Sequence, residues 1–185
     1  MARVIKTKAW AERDTVAHAK SLLGRLLVKR ESADGVATRV RITETEAYDG
    51  PDDLACHASK GRTARTEVMF GEAGRWYVYL CYGVHEMLNL VTGPVDYPAA
   101  VLVRGVESIS GPGRLTKHLG IDRRFNRMAA DRTSGLWIED DGYVVSPDRI
   151  TVSPRIGVDY AGPQWAAKPW RFVLRGLDSK DRPKR

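Results

Sequence analysis

The chain is short of cysteine, of clustered histidine and of long apolar runs, and each shortage removes a class of protein. Its two cysteines, Cys56 and Cys81, form neither a disulfide framework nor a metal-ligand spacing, so a reducing compartment and ordinary core or loop roles are expected. His18, His57, His85 and His118 are scattered, none at i,i+4 from another and none beside a C-x-x-C pair, which argues against a metal site. No stretch is apolar for long enough to span a bilayer, and the opening MARVIKTKAW lacks the apolar run of a signal peptide, so a soluble intracellular protein with no membrane partner is expected. Neither a P-loop nor a dinucleotide fingerprint occurs. No repeat or linker-like stretch divides the 185 residues, and 43% hydrophobic content supports one full core, so a single domain over residues 1–185 is expected, with the polar tail 178–185 frayed.

Negative charge is the minority sign. Lys and Arg number 30 against 23 Asp and Glu, a net charge of +7 and a pI of about 9.6. Such a surplus suits an ordinary solvated face, but it also suits nucleic acid, where cationic side chains replace the counterions of phosphates. Between residues 104 and 132 seven basic residues (Arg104, Arg114, Lys117, Arg123, Arg124, Arg127, Arg132) stand against three acidic ones (Glu107, Asp122, Asp131), and 7 − 3 leaves +4. Residues 43–57 invert that balance, with Glu44, Glu46, Asp49, Asp52 and Asp53 and no Lys or Arg. An acidic pocket in a basic body points to chemistry on a polyanion.

Local patterns supply the elements. Asp14 as N-cap, an apolar stripe of Val16, Ala19, Leu22 and Leu23, and Gly24 as a stop predict a helix over residues 13–23. Strand character over 26–30 and 36–48, with turn chemistry at 32–35, predicts a hairpin. Residues 49–66 read as a long ordered loop, the kind that usually carries function. In WYVYLCYG, Tyr77 and Tyr79 share one face and Trp76, Val78 and Leu80 the other, with Gly83 as a turn residue. Residues 99–106 read as a buried strand with Arg104 on the side of Leu102 and Val106, and GPGRLTKHLG as a turn opening a short helix. Short strands are expected at 136–139, 143–145, 150–152 and 170–174.

Within TETEAYDG (43–50), alternation puts Glu44, Glu46 and Tyr48 on the side of Val40 and Ile42. A carboxylate on an apolar face costs several kcal/mol unless it is paired, and Arg104 in another apolar strand needs an anion. With Arg104 near, one carboxylate would stay ionised and could orient a water, which describes a general base for hydrolysis, with Glu46 favoured by its neighbour Tyr48. The plainer alternative is a buried ion pair. Tyr48, His57 and Tyr79 can form a cage for a flat, electron-poor or cationic ring, or can be ordinary core aromatics. Tyr82, beside the Gly83 turn, can wedge into a base stack or simply pack on the surface. The GPG at 111–113 could present N–H groups to a phosphate.

The residues that carry a resemblance are LLGRLLVKR, TETEAYDGPDDLACHASKGRTAR, VMFGEAGRWYVYLCYGVHEMLNLV, AAVLVRGVE, GPGRLTKHLGI, SPRIGV and PWRF, in that order. In them the sequence resembles the alkyladenine (3-methyladenine) DNA glycosylase family of base-excision-repair enzymes. The resemblance implies an α+β single domain with a curved, mostly antiparallel β-sheet and peripheral helices. It implies a monomeric, monofunctional enzyme without lyase activity, cofactor or metal. Such an enzyme flips alkylated or deaminated purines (3-methyladenine, 7-methylguanine, hypoxanthine, ethenoadenine) out of double-stranded DNA and hydrolyses the N-glycosidic bond to leave an abasic site. Glu46 matches the general base and Arg104 the arginine that helps hold the attacking water. Tyr48, His57 and Tyr79 match the lining of the base pocket, and Asn89 the residue facing the purine edge. Tyr82 matches the ring inserted through the minor groove, bracketed by Val84 and His85, while Arg62, Arg65, Arg114 and Lys117 stand as candidates for the DNA backbone.

The chain departs from the family's usual wording in RTARTEVMF, which lacks a proline and an asparagine, and in VHEML. There Val84 replaces a frequent methionine, Met87 a common cysteine, and Glu86 lies on the expected DNA side, where it would repel phosphates. The alternative reading is a non-catalytic nucleic-acid-binding module on the same scaffold, against which Glu46 and Arg104 weigh, since binding alone needs no buried carboxylate. A plain RNA-binding domain would explain the charge but not ETEAY.

Overall fold

The computed structural model describes residues 2–32 and 34–177; the tail expected to fray, 178–185, lies outside the described residues. Its strands are β1 (Arg3–Val4), β2 (Leu26–Lys29), β3 (Thr38–Asp49), β4 (Trp76–Cys81), β5 (His85–Thr92), β6 (Ala99–Val106), β7 (Ile109–Ser110), β8 (Leu136–Asp140), β9 (Ile150–Ser153) and β10 (Arg171–Leu174). Helices α1 (Thr15–Leu22), α2 (Pro112–Leu119) and α3 (Pro163–Ala166) lie outside the sheet. Every strand pairing is antiparallel, in the order β1-β8-β2-β3-β6-β5-β4, with β10 joining β3 and β9, and β7 joining β6. This is the expected α+β fold with a curved antiparallel sheet. The 12-residue strand β3 is its axis: it pairs with β2 through residues 38–41, with β10 through residues 44–46, and with β6 from Ile42 to Asp49.

The helix expected over 13–23 forms as α1, where the Asp14 carboxylate accepts from the Ala17 N–H at 2.9 Å and so satisfies a donor the helix start leaves free. The chain leaves it through Gly24 at φ +80°, where a Cβ would stand 2.6 Å from Val145 Cγ2. Ala19 and Leu22 of α1 pack with Leu27, Ile42, Ala47, Trp76, Val101 and Phe172 in the main core. Among the described residues no helix is long and apolar enough to cross a membrane.

Two facing expectations are corrected by one irregularity. The β3–β6 register shifts between Ile42 and Glu44 and again between Glu44 and Thr45. Ile42 and Ala47, an odd number of residues apart, therefore both enter the main core, and Thr45 Oγ1 reaches the Ala19 carbonyl of α1 at 2.8 Å. Glu44, Glu46 and Tyr48 consequently face away from Ile42, since one inserted residue reverses the parity of everything after it. The same holds on β6, where Val101, Val103 and Val106 enter the core while Ala100, Leu102 and Arg104 line the opposite side. Arg104 thus keeps company with Leu102 and not with Val106.

The strand expected at 143–145 does not form. Gly142 turns at φ +84°, the Tyr143 N–H donates to the Asp141 carboxylate at 3.2 Å, and the Tyr143 carbonyl accepts from Arg25 Nη1 at 3.2 Å, so side chains take the backbone groups a ladder would use.

Candidate active site

On the face of the sheet away from α1, the chain between β3 and β4 folds back over the strands through 3₁₀ turns at His57–Lys60 and Glu67–Phe70. A second apolar cluster, including Cys56, Met69, Tyr77 and Ala100, fastens it there, with Tyr48 and Tyr79 packed against that cluster. This segment, the turn around Ile156–Tyr160, the first residue of α2 and the tip of the β4–β5 hairpin enclose a cleft of about 710 Å³. Tyr48, His57, Arg65, Tyr79, Tyr82, Asn89 and Arg104 all line it, so residues far apart in the chain converge there.

The expected carboxylate–arginine contact is present. Arg104 Nε lies 3.1 Å from Glu44 Oε1 and 3.4 Å from Glu46 Oε1, and Arg171 Nε donates to Glu44 Oε1 at 2.6 Å. Glu44 therefore takes most of the ion pairing. Glu46 is instead held by the Tyr48 hydroxyl, which donates to Oε2 at 2.9 Å, and by the Ile156 N–H, which donates to Oε1 at 2.9 Å. Burial pushes the Glu46 carboxyl above its ordinary value and outweighs Arg104, the Ile156 N–H and the Tyr48 hydroxyl, all of which favour the ionised form. Arg104 therefore favours the ionised form, as expected, but opposes the effect of burial without cancelling it. Glu46 has no exposed surface and stands one hydrogen bond behind the cleft wall, covered by Tyr48, Arg104 and Ile156, which do line it.

The aromatic wall is uncharged. His57 and Tyr79 meet edge-to-face with centroids 4.6 Å apart, Tyr77 and Tyr79 lie at 5.1 Å, and the His57 Nδ1 is 2.9 Å from the Tyr77 hydroxyl. Burial, with smaller contributions from Arg65 and Lys60, pushes His57 down to about 4, so its ring is neutral at physiological pH. Burial likewise raises Tyr48 and Tyr79, which stay protonated. Arg65 lies 4.7 Å over the Tyr79 ring. Asn89 spends its Nδ2 on the carbonyls of Tyr77 (3.1 Å) and Met87 (3.3 Å), which turns Oδ1 into the end left for a ligand. A neutral, electron-rich wall with a carboxylate at its base can accept a flat, cationic or electron-poor ring.

At the rim, β4 and β5 end on the Cys81–His85 pair, with Tyr82 at φ +50° and Gly83 at φ +71°. Tyr82 is 94% exposed and Val84 73%. A left-handed conformation costs a non-glycine residue about 1 kcal/mol, and nothing packs on this ring in return. His85 lies against Gly113 at the start of α2, where a Cβ would come within 2.8 Å of its ring. Arg114 and Lys117 are exposed on α2, and Arg62 is paired with Glu67 and Asp96. Glu86 does not stand free before incoming phosphates, since Arg123 Nε reaches its Oε1 at 3.1 Å. Sequence reasoning missed Tyr77, Arg171 and the Asp53–Arg155 pair; the pair's partners are 102 residues apart and only the fold joins them. Among the described residues no three His, Cys, Asp or Glu side chains are grouped to hold a metal ion.

Comparison with known proteins places this architecture. The sequence profile of the methylpurine-DNA glycosylase (MPG) family matches residues 9–178. A protein of Anaeromyxobacter dehalogenans (strain 2CP-C) is 45% identical over 184 residues, covering 95% of this chain and 86% of the relative. One of Myxococcus xanthus (strain DK1622) is 51% identical over 167 residues, covering 85% and 83%. One of Legionella pneumophila (strain Paris) is 43% identical over 177 residues, covering 89% and 91%. Each bears the provisional name 3-methyladenine DNA glycosylase. With a profile match over residues 9–178 and relatives this similar over most of their length, the chain belongs to the methylpurine-DNA glycosylase family.

Proposed function

We propose that the chain excises damaged purines from duplex DNA with Glu46 as general base, and that it works alone as a monofunctional, cofactor-free enzyme. The observation that carries the reading is the Glu46 carboxyl, buried behind a cleft walled by uncharged aromatic rings, within 3.4 Å of Arg104 and held by the Tyr48 hydroxyl and the Ile156 N–H. Tyr82 wedges into the duplex and fills the gap left by the extruded nucleotide, flanked by Val84 and His85. The flipped base enters between Tyr48, His57 and Tyr79, with Asn89 at its edge. Alkylation at N3 or N7 gives the ring a positive charge, so it both suits this wall and leaves readily. The C1′–N bond breaks with its electrons going to the purine. Glu46 stabilises the cationic sugar and takes a proton from water as the C1′–O bond forms, with inversion at C1′. Arg65, Arg114 and Lys117 contact flanking phosphates; Arg62 can join them by giving up its present carboxylates. Neutral lesions such as hypoxanthine would need protonation to leave.

The covered state of Glu46 is the one observation that favours the alternative, a module that grips distorted nucleic acid without cutting it. Base release decides between them. Incubating the protein with duplexes that contain 3-methyladenine, 7-methylguanine, hypoxanthine or ethenoadenine should liberate free base. Glu46→Gln should lower the rate by about a hundredfold or more while retaining affinity for lesion DNA. Equal release by both proteins removes Glu46 from the role, and binding without release by the wild type establishes the alternative.

A further inference from the structure

We propose that the buried Asp53–Arg155 ion pair is a positioning device for the reaction assigned to Glu46: it holds Tyr48 and the Ile156 peptide in place against that carboxylate. The inference rests on the catalytic reading above. Both side chains have no exposed surface. Arg155 Nη2 donates to Asp53 Oδ1 at 2.9 Å and to the Trp165 carbonyl at 3.3 Å, and Nη1 donates to Asp53 Oδ2 and, at 2.9 Å, to the Ala47 carbonyl. Its guanidinium lies over two rings, 4.8 Å from the centroid of Tyr48 and 5.1 Å from that of Trp170. Asp53 in turn accepts from the N–H groups of Asp49 and Ala55, each at 3.1 Å.

The location of these bonds matters more than their number. Ala47 lies between Glu46 and Tyr48, so fixing its carbonyl fixes the backbone that carries both. Ile156, whose N–H holds Glu46 Oε1, is the residue after Arg155, so the same guanidinium anchors the covering turn. Asp53 roots the segment that leads to His57. One ion pair thus joins β3, the long loop, the turn before Val158 and the connection between α3 and β10. A buried pair of this kind gives little stability over an apolar replacement, because two desolvated charges offset their own attraction; what an apolar replacement cannot supply is the planar fork that fixes these carbonyls and carboxylate oxygens together.

A positioning role predicts a separation that general loosening does not. The groups facing Glu46 are Glu44 and Tyr48 on its own strand, Arg104 on β6, the Ile156 N–H and Arg155 on the covering turn, and Arg171 on β10 through Glu44. Removing the Arg155 cation (Arg155→Met) should move the acid limb of base release to higher pH. Removing the opposing charge (Asp53→Asn) should move it lower. In both variants and in the charge-retaining Arg155→Lys, single-turnover release at saturating enzyme should fall by about tenfold to a hundredfold, while affinity for a duplex with an abasic-site analogue stays within about threefold of wild type. Release within about twofold of wild type in any folded variant overturns the proposal, as does a parallel loss of rate and affinity with an unmoved acid limb. Arg155→Lys, which keeps the charge and most of the volume, carries the test should Arg155→Met not fold. Absence of base release by the wild type defeats the catalytic reading itself, whereas release that the variants leave intact defeats only the positioning role.

Discussion

Glu46 combines two demands that oppose each other. Full burial makes its ionised form costly, yet a general base must be ionised to accept a proton. Its raised proton affinity therefore moves the acid limb of base release upward, and single-turnover rates should rise with pH between about 4 and 8 along a single limb that Glu46→Gln lacks. Stability carries the complementary sign. A carboxyl whose folded proton affinity exceeds its unfolded one contributes stability while protonated, below the unfolded value, and that contribution is lost as pH rises through the folded value. Wild type should thus lose stability relative to Glu46→Gln on going from about pH 4 to pH 8. Denaturant midpoints at several pH values measure it, and a pH-independent difference contradicts it. His57, pushed down to about 4 by burial, weakens both proteins alike in acid, so the difference between them isolates Glu46.

At the scale of elements, the β4–β5 hairpin and the irregularity in β3 do different work. The hairpin displays a ring in a left-handed conformation that glycine would adopt without strain. Tyr82→Gly should therefore leave thermal stability unchanged within about 1 kcal/mol while lowering affinity for a duplex with an abasic-site analogue by about tenfold; unchanged affinity rules the wedge out. The hairpin was legible because alternation in WYVYLCYG runs unbroken into Gly83, so Tyr77 was separable from Trp76 and Val78 before any coordinates. The facing of Glu46 was not legible in the same way. Period-two reasoning assumes an uninterrupted ladder, and the shift around Glu44 depends on how β3 meets β6. Residues 143–145 failed for a related reason: Arg25 and Asp141, brought in by the fold, satisfy Tyr143's backbone groups and leave no need for a ladder.

For the whole molecule, the total of 30 Lys and Arg overstates the cations free to meet phosphates. Arg25, Arg41, Arg104, Arg155 and Arg171 are spent on internal carboxylates, while Arg65, Arg114 and Lys117 stay at the surface. Binding to lesion-free duplex should therefore weaken by tenfold or more between about 50 and 200 mM salt. Replacing any one of those surface residues with alanine should reduce the slope against log salt by about one. A slope unaltered by all three substitutions places the duplex on another face.

Composition and pattern alone determined the basic balance, most of the strands and helices, and the separate acidic, arginine-bearing and aromatic segments, because each rests on local spacing, while the family resemblance implied that those segments share one site. Only the tertiary structure decided which face of β3 carries Glu46, that Glu44 rather than Glu46 takes most of the ion pairing, that burial outweighs Arg104, and that Asp53 meets Arg155. Those outcomes depend on register, desolvation and contacts between residues about a hundred positions apart, none of which has a local signature along a chain.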